Sequence, residues 1–345
     1  MPKPHKRSAP ALAVGCLLSL QLAVAGCASN PVTAPPPTIA AADAAASPPV
    51  AQRPAGTVRP FGGKPAATAF DAGTSQLVVL CAGADPHTPA TVTVLSAGQG
   101  QRVIALPGPA TALTGDGRGI AYLSTRGGYF VVDLTAGRIT RVEVDNAADT
   151  EFTAIARRAD GKLVLGSADG AVSTLATETT VANRSKIFAR VDAIVTQGDT
   201  AVVLDRGQTS VTTVGPDGHP RYALRAGEGA TTLAADPRGL VLVADTRGDQ
   251  LLVYGAEPLM LRQAYPVRDA PYGLVGSAEL AWVSQTATNT VIGYDLTTGI
   301  PVEKVRYPTV RQPNALDFDD TTGTLYVVSG VGAGIQVIEH AAGQR

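Results

Sequence analysis

The chain has 345 residues, of which 17% are charged and 45% hydrophobic, and its formal net charge at pH 7 is −1. This length suits two average domains or one large all-β domain. A near-neutral chain lacks the basic face that nucleic-acid-binding proteins present, so the composition argues against a nucleic-acid partner.

The first 26 residues have the organisation of an export signal. Basic residues among the first seven positions precede an almost wholly apolar run over 9–26, which leads into the tetrapeptide VAGC at 24–27. That tetrapeptide fits the bacterial lipobox, in which small residues admit the signal peptidase and the cysteine sulfur accepts a diacylglycerol. We therefore predict a signal peptide over 1–26 and a lipid on Cys27 that anchors the exported protein to the outer face of the cytoplasmic membrane, in the cell envelope. An uncleaved membrane helix is the alternative, because the run approaches the length of a transmembrane span.

The segment after Cys27 is rich in Pro and Ala. Residues 28–57 contain seven prolines and no aromatic residue, so they bury too little apolar surface to offset the entropy of ordering. An extended chain of this length reaches roughly 90 Å at about 3.1 Å per residue. The sequence predicts that residues 27–57, the lipidated cysteine included, form a flexible tether.

From residue 58 the chain repeats one pattern of three short β-strands separated by turns rich in Asp and Gly. The second apolar residue of each first strand falls at Phe70, Leu113, Ile155, Ile194, Leu233, Leu274 and Leu316. The mean spacing of about 41 residues matches a four-stranded propeller blade, and period-two alternation excludes a helical repeat. The sequence predicts an all-β fold, a single seven-bladed β-propeller over 58–340, with a short tail over 341–345.

The two ends of the repeat predict how the ring closes. Each of the first six copies ends with a looser fourth strand, whereas the seventh is followed only by the tail. The stretch TVRPF at 57–61 resembles EKVRYP at 303–308, which stands before the seventh copy. We predict that residues 58–61 supply the outer strand of the last blade, which leaves no long unpaired sheet edge. The polar stretch over 176–185 is predicted to be a long loop.

The blade at 234–254, AADPRGLVLVADTRGDQLLVY, resembles the NHL and YVTN families of bacterial propeller repeats. The resemblance covers nearly all of the predicted propeller and implies its fold. The whole chain also resembles a conserved mycobacterial lipoprotein family, through the lipobox, the Pro/Ala-rich segment and phrases such as FTAIARRADGKLVLGSADGAV at 152–172. This second resemblance implies a cell-envelope lipoprotein and transfers no catalytic residue.

Common catalytic motifs are missing from the sequence, including HExxH, paired CxxC, GxSxG and the P-loop. Once Cys27 is acylated and the signal removed, one thiol remains, Cys81. It ends an apolar run and is predicted to be buried and unreactive. The four histidines are far apart in the sequence, so we predict neither a metal site nor another cofactor.

The apolar residue that marks each first strand (Phe70 and its six counterparts) is preceded, two positions earlier, by a residue of another kind. The fold places these seven residues near the mouth of the central channel. These residues are Thr68, Thr111, Thr153, Asp192, Thr231, Tyr272 and Asn314. Propellers commonly bind ligands at one rim of the channel, so this polar ring is a candidate ligand-binding site. The alternative is that its polar groups hydrogen-bond neighbouring blades and hold the ring together.

Three turns between second and third strands contain the motif TRG or DRG. Their arginines, Arg126, Arg206 and Arg247, are predicted to lie on the same rim, where a guanidinium fork suits a carboxylate or phosphate. The alternative is local ion pairs, for example with Asp205 and Asp245, which contribute little stability.

These observations favour a non-catalytic binding module for a protein, a glycan or a small anionic molecule. The chain is expected to be a monomer whose membrane contact is the lipid on Cys27. One alternative is a metal-dependent, lactonase-like hydrolase, with Ca²⁺ held by Asp192, Asn314 and Asp317 or Asp319. Calcium takes six or more oxygen ligands, and a rim Glu to complete that set is missing. A third hypothesis is a structural envelope protein without a ligand.

Overall fold

The computed structural model describes residues 36–96 and 100–343, which form seven four-stranded antiparallel sheets. Each sheet is one blade of a β-propeller, so the predicted all-β, seven-bladed fold is confirmed. The predicted signal peptide, Cys27 and the last two residues of the predicted tail lie outside the described residues. Within those residues, the structure contains no helix with the length and hydropathy of a membrane span.

The strands are labelled β1 to β28 in chain order, and β1 spans Thr57–Arg59. Blade 1 contains β2 (Pro65–Asp71), β3 (Gln76–Cys81), β4 (Thr91–Ser96) and β5 (Gln101–Ala105). Blade 2 contains β6 (Leu113–Gly115), β7 (Ile120–Thr125), β8 (Gly128–Asp133) and β9 (Ile139–Glu143). Blade 3 contains β10 (Phe152–Arg157), β11 (Leu163–Ser167), β12 (Ala171–Leu175) and β13 (Val181–Lys186). Blade 4 contains β14 (Ala193–Gln197), β15 (Thr200–Asp205), β16 (Ser210–Val214) and β17 (Pro220–Arg225).

The remaining blades follow the same order. Blade 5 contains β18 (Ala230–Asp236), β19 (Leu240–Asp245), β20 (Gln250–Ala256) and β21 (Leu259–Pro266). Blade 6 contains β22 (Pro271–Gly276), β23 (Ala281–Gln285), β24 (Thr290–Asp295) and β25 (Val302–Pro308). Blade 7 contains β26 (Pro313–Asp319), β27 (Thr324–Ser329) and β28 (Ile335–Ile338), and β1 completes it.

The hydrophobic core lies between blades. The second and third strands of a blade are covered on both faces by neighbouring blades, so β15 is buried at every residue, whereas the outer strand β13 is exposed at alternate residues. Trp282 of blade 6 stacks on Phe318 of blade 7 with ring centroids 5.7 Å apart. Cys81 is buried as predicted, and burial raises the pKa of its thiol, although a hydrogen bond with Thr91 partly opposes this.

The first strand closes the ring. β1 pairs antiparallel with β28, with Thr57 opposite Val337 and Arg59 opposite Ile335. The predicted closing strand at 58–61 is therefore confirmed in its role and begins one residue earlier. One sheet contains both ends of the propeller sequence, so the last blade has four strands like the other six.

The long loop predicted over 176–185 is wrong. A short turn, closed by the Ala176 amide donating to the Thr180 carbonyl at 2.8 Å, leads directly into β13, which begins at Val181 and pairs with β12. An outer strand has one sheet neighbour and partial contact with water, so polar side chains are compatible with it. The polar composition of this stretch therefore reflects its position at the edge of blade 3.

The predicted tether differs from the structure from residue 38 onward. Residues 38–48 are called the strap, and beyond them the Ala55 amide donates to the Pro308 carbonyl at 3.0 Å. The strap lies on the propeller, where the Ile39 amide donates to the Gly207 carbonyl at 2.8 Å and Asn289 Nδ2 donates to the Pro48 carbonyl at 2.9 Å. Ala42 and Ser47 are buried. The composition argument considered apolar burial, whereas the strap is ordered mainly through hydrogen bonds to its backbone.

Candidate functional site

Two sets of loops meet at one end of the propeller, which we call the top face. Consecutive strands are antiparallel, so the turn between the second and third strands lies at the same end as the crossover to the next blade. Buried carboxylates join the two sets of loops. Asp205 accepts hydrogen bonds from the amides of Ala189 and Gln208. Asp245 likewise accepts hydrogen bonds from the amides of Gly229 and Gly248.

These contacts correct one sequence interpretation. Asp205 and Asp245 have no exposed surface, and their carboxylates bind loop amides on both sides of the turn. The sequence suggested that they pair with Arg206 and Arg247, but these arginines contact residues 40–43 instead. The Asp before each of these Arg-Gly pairs is therefore a loop brace, which positions the arginine without pairing with it.

The central channel contains a cavity of about 510 Å³ lined by the innermost strands. All seven positions of the predicted polar ring line it: Thr68, Thr111, Thr153, Asp192, Thr231, Tyr272 and Asn314. The predicted placement of these residues is confirmed, whereas ligand binding by them stays a prediction.

The ring threonines hold adjacent blades together. The Thr111 hydroxyl donates to the Phe152 carbonyl of the following blade at 2.7 Å, and the Thr153 hydroxyl donates to the Val191 carbonyl. Thr231 reaches blade 6 indirectly, because its hydroxyl lies 2.6 Å from that of Thr246, which donates to the Pro271 carbonyl. This geometry supports the structural alternative for the threonines and leaves the larger polar residues as the better ligand candidates.

Asp192 and Arg206 of blade 4 and Tyr272 of blade 6 all line the channel cavity. One carboxylate oxygen of Asp192 accepts the Arg206 amide at 2.8 Å, and the other lies 3.2 Å from Nε of Arg190. Burial raises the pKa of the Tyr272 hydroxyl, Arg206 opposes that shift, and Asp43 adds to it. The Nε–H of Arg206 is buried and has no hydrogen-bond partner among the described residues.

Arg206 and Arg247 both bind the strap. Nη2 of Arg206 lies 2.9 Å from a carboxylate oxygen of Asp43 and also donates to the Ala42 carbonyl. Nη2 of Arg247 donates to the Ala40 carbonyl at 2.8 Å. These contacts have no signature in the sequence, because two of the three acceptors are backbone carbonyls that every residue possesses.

Arg126 lies elsewhere on the top face. It forms an ion pair with Asp149 at 2.8 Å, and the two side chains are 67% and 95% exposed. It lines a separate cavity of about 230 Å³ together with His87 and Phe152. The prediction that the three arginines share the rim holds for the face as a whole, but Arg126 does not join Arg206 at the channel.

Gln312 is a site residue that the sequence interpretation missed. Its Nε2 donates to Asn314 Oδ1 at 3.0 Å and to the Ala45 carbonyl of the strap at 2.9 Å. Its Oε1 accepts the Ser47 amide at 2.9 Å. Gln312 therefore connects the channel ring to the strap. Its place in a crossover loop, two residues before a ring position, is the one sequence signal for this role.

The acidic candidates for a calcium site are separated and engaged with protein groups. Asp319 accepts the Thr321 amide at 2.9 Å and the Thr322 hydroxyl at 2.7 Å, as expected of a turn residue. Asp317 lies between blades 7 and 1, and burial raises the pKa of its carboxyl to about 7, although hydrogen bonds from Phe318, Phe70 and Thr68 partly oppose the shift. Across residues 36–96 and 100–343, no group of three or more His, Cys, Asp or Glu side chains is placed to hold a metal ion.

Neither protein-family profiles nor the sequences of curated proteins match this chain. Solved structures do match its fold. A streptogramin B lyase is 10% identical with a TM-score of 0.66, and the match covers 83% of this chain and 96% of the lyase. Virginiamycin B lyase from Staphylococcus aureus is 10% identical with a TM-score of 0.67, with 82% and 98% covered.

A chain from a crystal structure of the mitotic checkpoint complex is also similar, at 11% identity and a TM-score of 0.69, with 86% of this chain and 98% of that chain covered. These neighbours include enzymes and an assembly component. At such low identity, the likeness shows the propeller fold alone.

Proposed function

We propose that this protein is a non-catalytic binding module of the cell envelope that binds an anionic group at the mouth of its propeller channel. The observation that carries the proposal is the environment of Arg206. Arg206 lines the 510 Å³ channel cavity together with Tyr272, and its buried Nε–H lacks a partner in the described part of the chain. Because buried donors are nearly always paired in native proteins, an acceptor supplied by a ligand or water fits this position.

The polar side chains of Asp192 and Asn314 at the channel support binding over catalysis. Asp192 is held by the Arg206 amide and Arg190, so its carboxylate is oriented as a brace for the arginine. Asn314 is held by Gln312. The Asn314 amide is not a base, and the Asp192 carboxylate serves to orient the Arg206 loop, so the arrangement favours binding a ligand over abstracting its proton.

The localisation is part of the proposal. The lipobox at 24–27 and the resemblance to mycobacterial lipoproteins favour a protein anchored through a lipid on Cys27, whereas the resemblance to NHL and YVTN repeats concerns the propeller alone.

Thermal unfolding in the presence of citrate and of inorganic phosphate tests the binding function. A ligand at one hundred times its Kd stabilises a protein by about 2.7 kcal/mol, which raises the Tm of a domain of this size by about 5 °C. We expect such an increase for the wild-type chain and its loss in Arg206→Ala. Arg138→Ala is the matched control, because Arg138 is an 80% exposed arginine paired with Asp133. Equal increases in both variants, or none in the wild type, would refute the site.

A further inference from the structure

The strap is held mainly through its backbone. Propeller side chains donate to five strap carbonyls, those of Ala40, Ala42, Ala45, Ser47 and Pro48. The strap amide of Ile39 donates to a loop carbonyl, and that of Ser47 donates to Gln312 Oε1. Every amino acid offers these backbone groups, so recognition of this kind accepts many sequences in extended form.

The donors form a continuous groove along the top face. They come from the turns of blades 4, 5 and 6 and from the crossover into blade 7, and they are Arg206, Arg247, Asn289, Arg311 and Gln312. The first half of the strap, residues 39–43, contacts blades 4 and 5, and the second half, residues 45–48, contacts blade 6 and the crossover into blade 7. A row of donors that binds several carbonyls of one segment suits the backbone of a peptide.

Two features of the groove select side chains. Arg206 pairs with the carboxylate of Asp43 at 2.9 Å, so an acidic residue suits this position. A methyl group on Gly229 would come within 2.9 Å of Cβ of Ala42, so the loop approaches the strap closely and favours a small residue just before the acidic one. The groove therefore prefers a small residue followed by Asp or Glu within an extended segment.

The contacts that hold the strap on the propeller are weak enough for a competing peptide to displace it. The Asp43 side chain is 87% exposed, and exposed ion pairs contribute little and are screened by salt. Covalent attachment to the propeller compensates for weak contacts, because a short linker gives millimolar effective concentrations. A peptide with better contacts than the strap can therefore take its place.

We propose that the groove across blades 4–7 binds an extended acidic peptide segment of a partner protein, and that residues 38–48 occupy it until that segment displaces them. This inference rests on the proposed binding function, because both use Arg206. It adds the class of ligand and a reason why the site is covered: the chain's own Asp43 takes the place of the partner's carboxylate.

The test adds a fluorescent peptide, PPTIAAADAAASPPV, to the full-length chain and measures its Kd by anisotropy. This peptide reproduces residues 36–50, so it carries the groups that the groove already recognises. Asp43→Lys places a cation beside Arg206 and releases the strap. We expect the peptide to bind this variant at least tenfold more tightly than it binds the wild type.

The matched control is Asp149→Lys, which removes a similarly exposed Asp from an ion pair with Arg126 on the other side of the top face and should leave peptide affinity unchanged. The double variant Asp43→Lys/Arg206→Ala should bind the peptide at least tenfold more weakly than Asp43→Lys. A peptide with Asn in place of its Asp should also bind Asp43→Lys several-fold more weakly. Unchanged melting temperatures verify that the variants are folded.

Several results would overturn the inference. Equal peptide affinity of the wild type and Asp43→Lys would mean that the strap does not compete for the groove. Equal affinity of the single and double variants would mean that Arg206 does not receive the acidic residue. If citrate binds at Arg206 but the peptide does not bind Asp43→Lys, the peptide inference fails and the proposed function stands. If neither binds, both fail.

Discussion

The two halves of the top face use the same turn motif with different results. Over blades 4–7 the strap covers the loops, and the Arg206 side chain is 23% exposed. Over blades 1–3 the loops are uncovered by the strap, and Arg126, which also precedes a glycine in its turn, is 67% exposed in an ion pair with Asp149. The turn fixes where each arginine stands, whereas the segment lying above it decides what it binds.

The scaffold beneath the two halves is the same. Thr125 of blade 2 donates its hydroxyl to the Pro109 carbonyl at 2.7 Å, and Asp205 of blade 4 likewise binds the crossover loop that precedes its blade. Each side chain ends a second strand and braces the crossover. The different exposure and partners of Arg206 and Arg126 therefore result from the strap and not from the blades.

The largest expected effect tests whether the blades are indeed equivalent. Phe152→Ala removes a buried aromatic residue beneath the open half, and Trp282→Ala removes one beneath the covered half. Each should lower the free energy of unfolding by about 3–5 kcal/mol, because a large cavity is left in a packed seam. Denaturant unfolding measures both. A loss below 1 kcal/mol for one variant would show that the seams are not equivalent.

The next effect concerns Asp317, at the seam between blades 7 and 1 where the two halves meet. Its pKa is raised to about 7, chiefly by burial. The folded state therefore keeps a proton that the unfolded state loses near pH 4. This group's contribution to stability is full below about pH 4 and is lost as pH rises through 7.

Asp317→Asn should remove that pH dependence. Relative to the wild type, the variant should gain about 2 kcal/mol of stability between pH 4 and pH 8, a value reduced from the full shift because the side chain is partly exposed. Denaturant unfolding at both pH values measures the difference. Parallel pH profiles of the two proteins would show that Asp317 titrates normally.

Much of the fold follows from the sequence, because the repeat and the closing strand are local patterns. Phe70 and its six counterparts mark each inner strand, and the stretch at 57–61 marks the closure. The ring positions could be placed for the same reason. The strap could not, because a run of Ala and Pro carries no side-chain signal and its partners are backbone groups. Gln312 was missed for the same reason, since its strap partners are the Ala45 carbonyl and the Ser47 amide.

A smaller effect is expected at Gln312, which holds the strap at two points. Gln312→Ala removes the hydrogen bonds to Ala45 and Ser47, and the expected cost to strap docking is about 1–2 kcal/mol. Elastase cleaves after small residues and tracks the opened population of a segment. Cleavage within 38–48 should therefore accelerate about tenfold, with global stability little changed. An unchanged cleavage rate would mean that Gln312 does not hold the strap.

The smallest effect is expected on the open half. Arg126→Ala removes an exposed ion pair, so the free energy of unfolding should change by less than about 0.5 kcal/mol. Elastase cleavage of the strap should stay at the wild-type rate. A clear acceleration would show that the open half of the top face is coupled to the covered half.

Site-resolved hydrogen exchange of the strap amides tests the central claim most directly. The Ile39 amide donates to Gly207 and the Ser47 amide to Gln312, so both should exchange at least tenfold more slowly than in an unstructured chain. Protection at Ser47 should fall in Gln312→Ala, while protection of the blade strands is retained. Exchange of both amides at the rate of an unstructured chain in the wild type would contradict a strap docked on the top face.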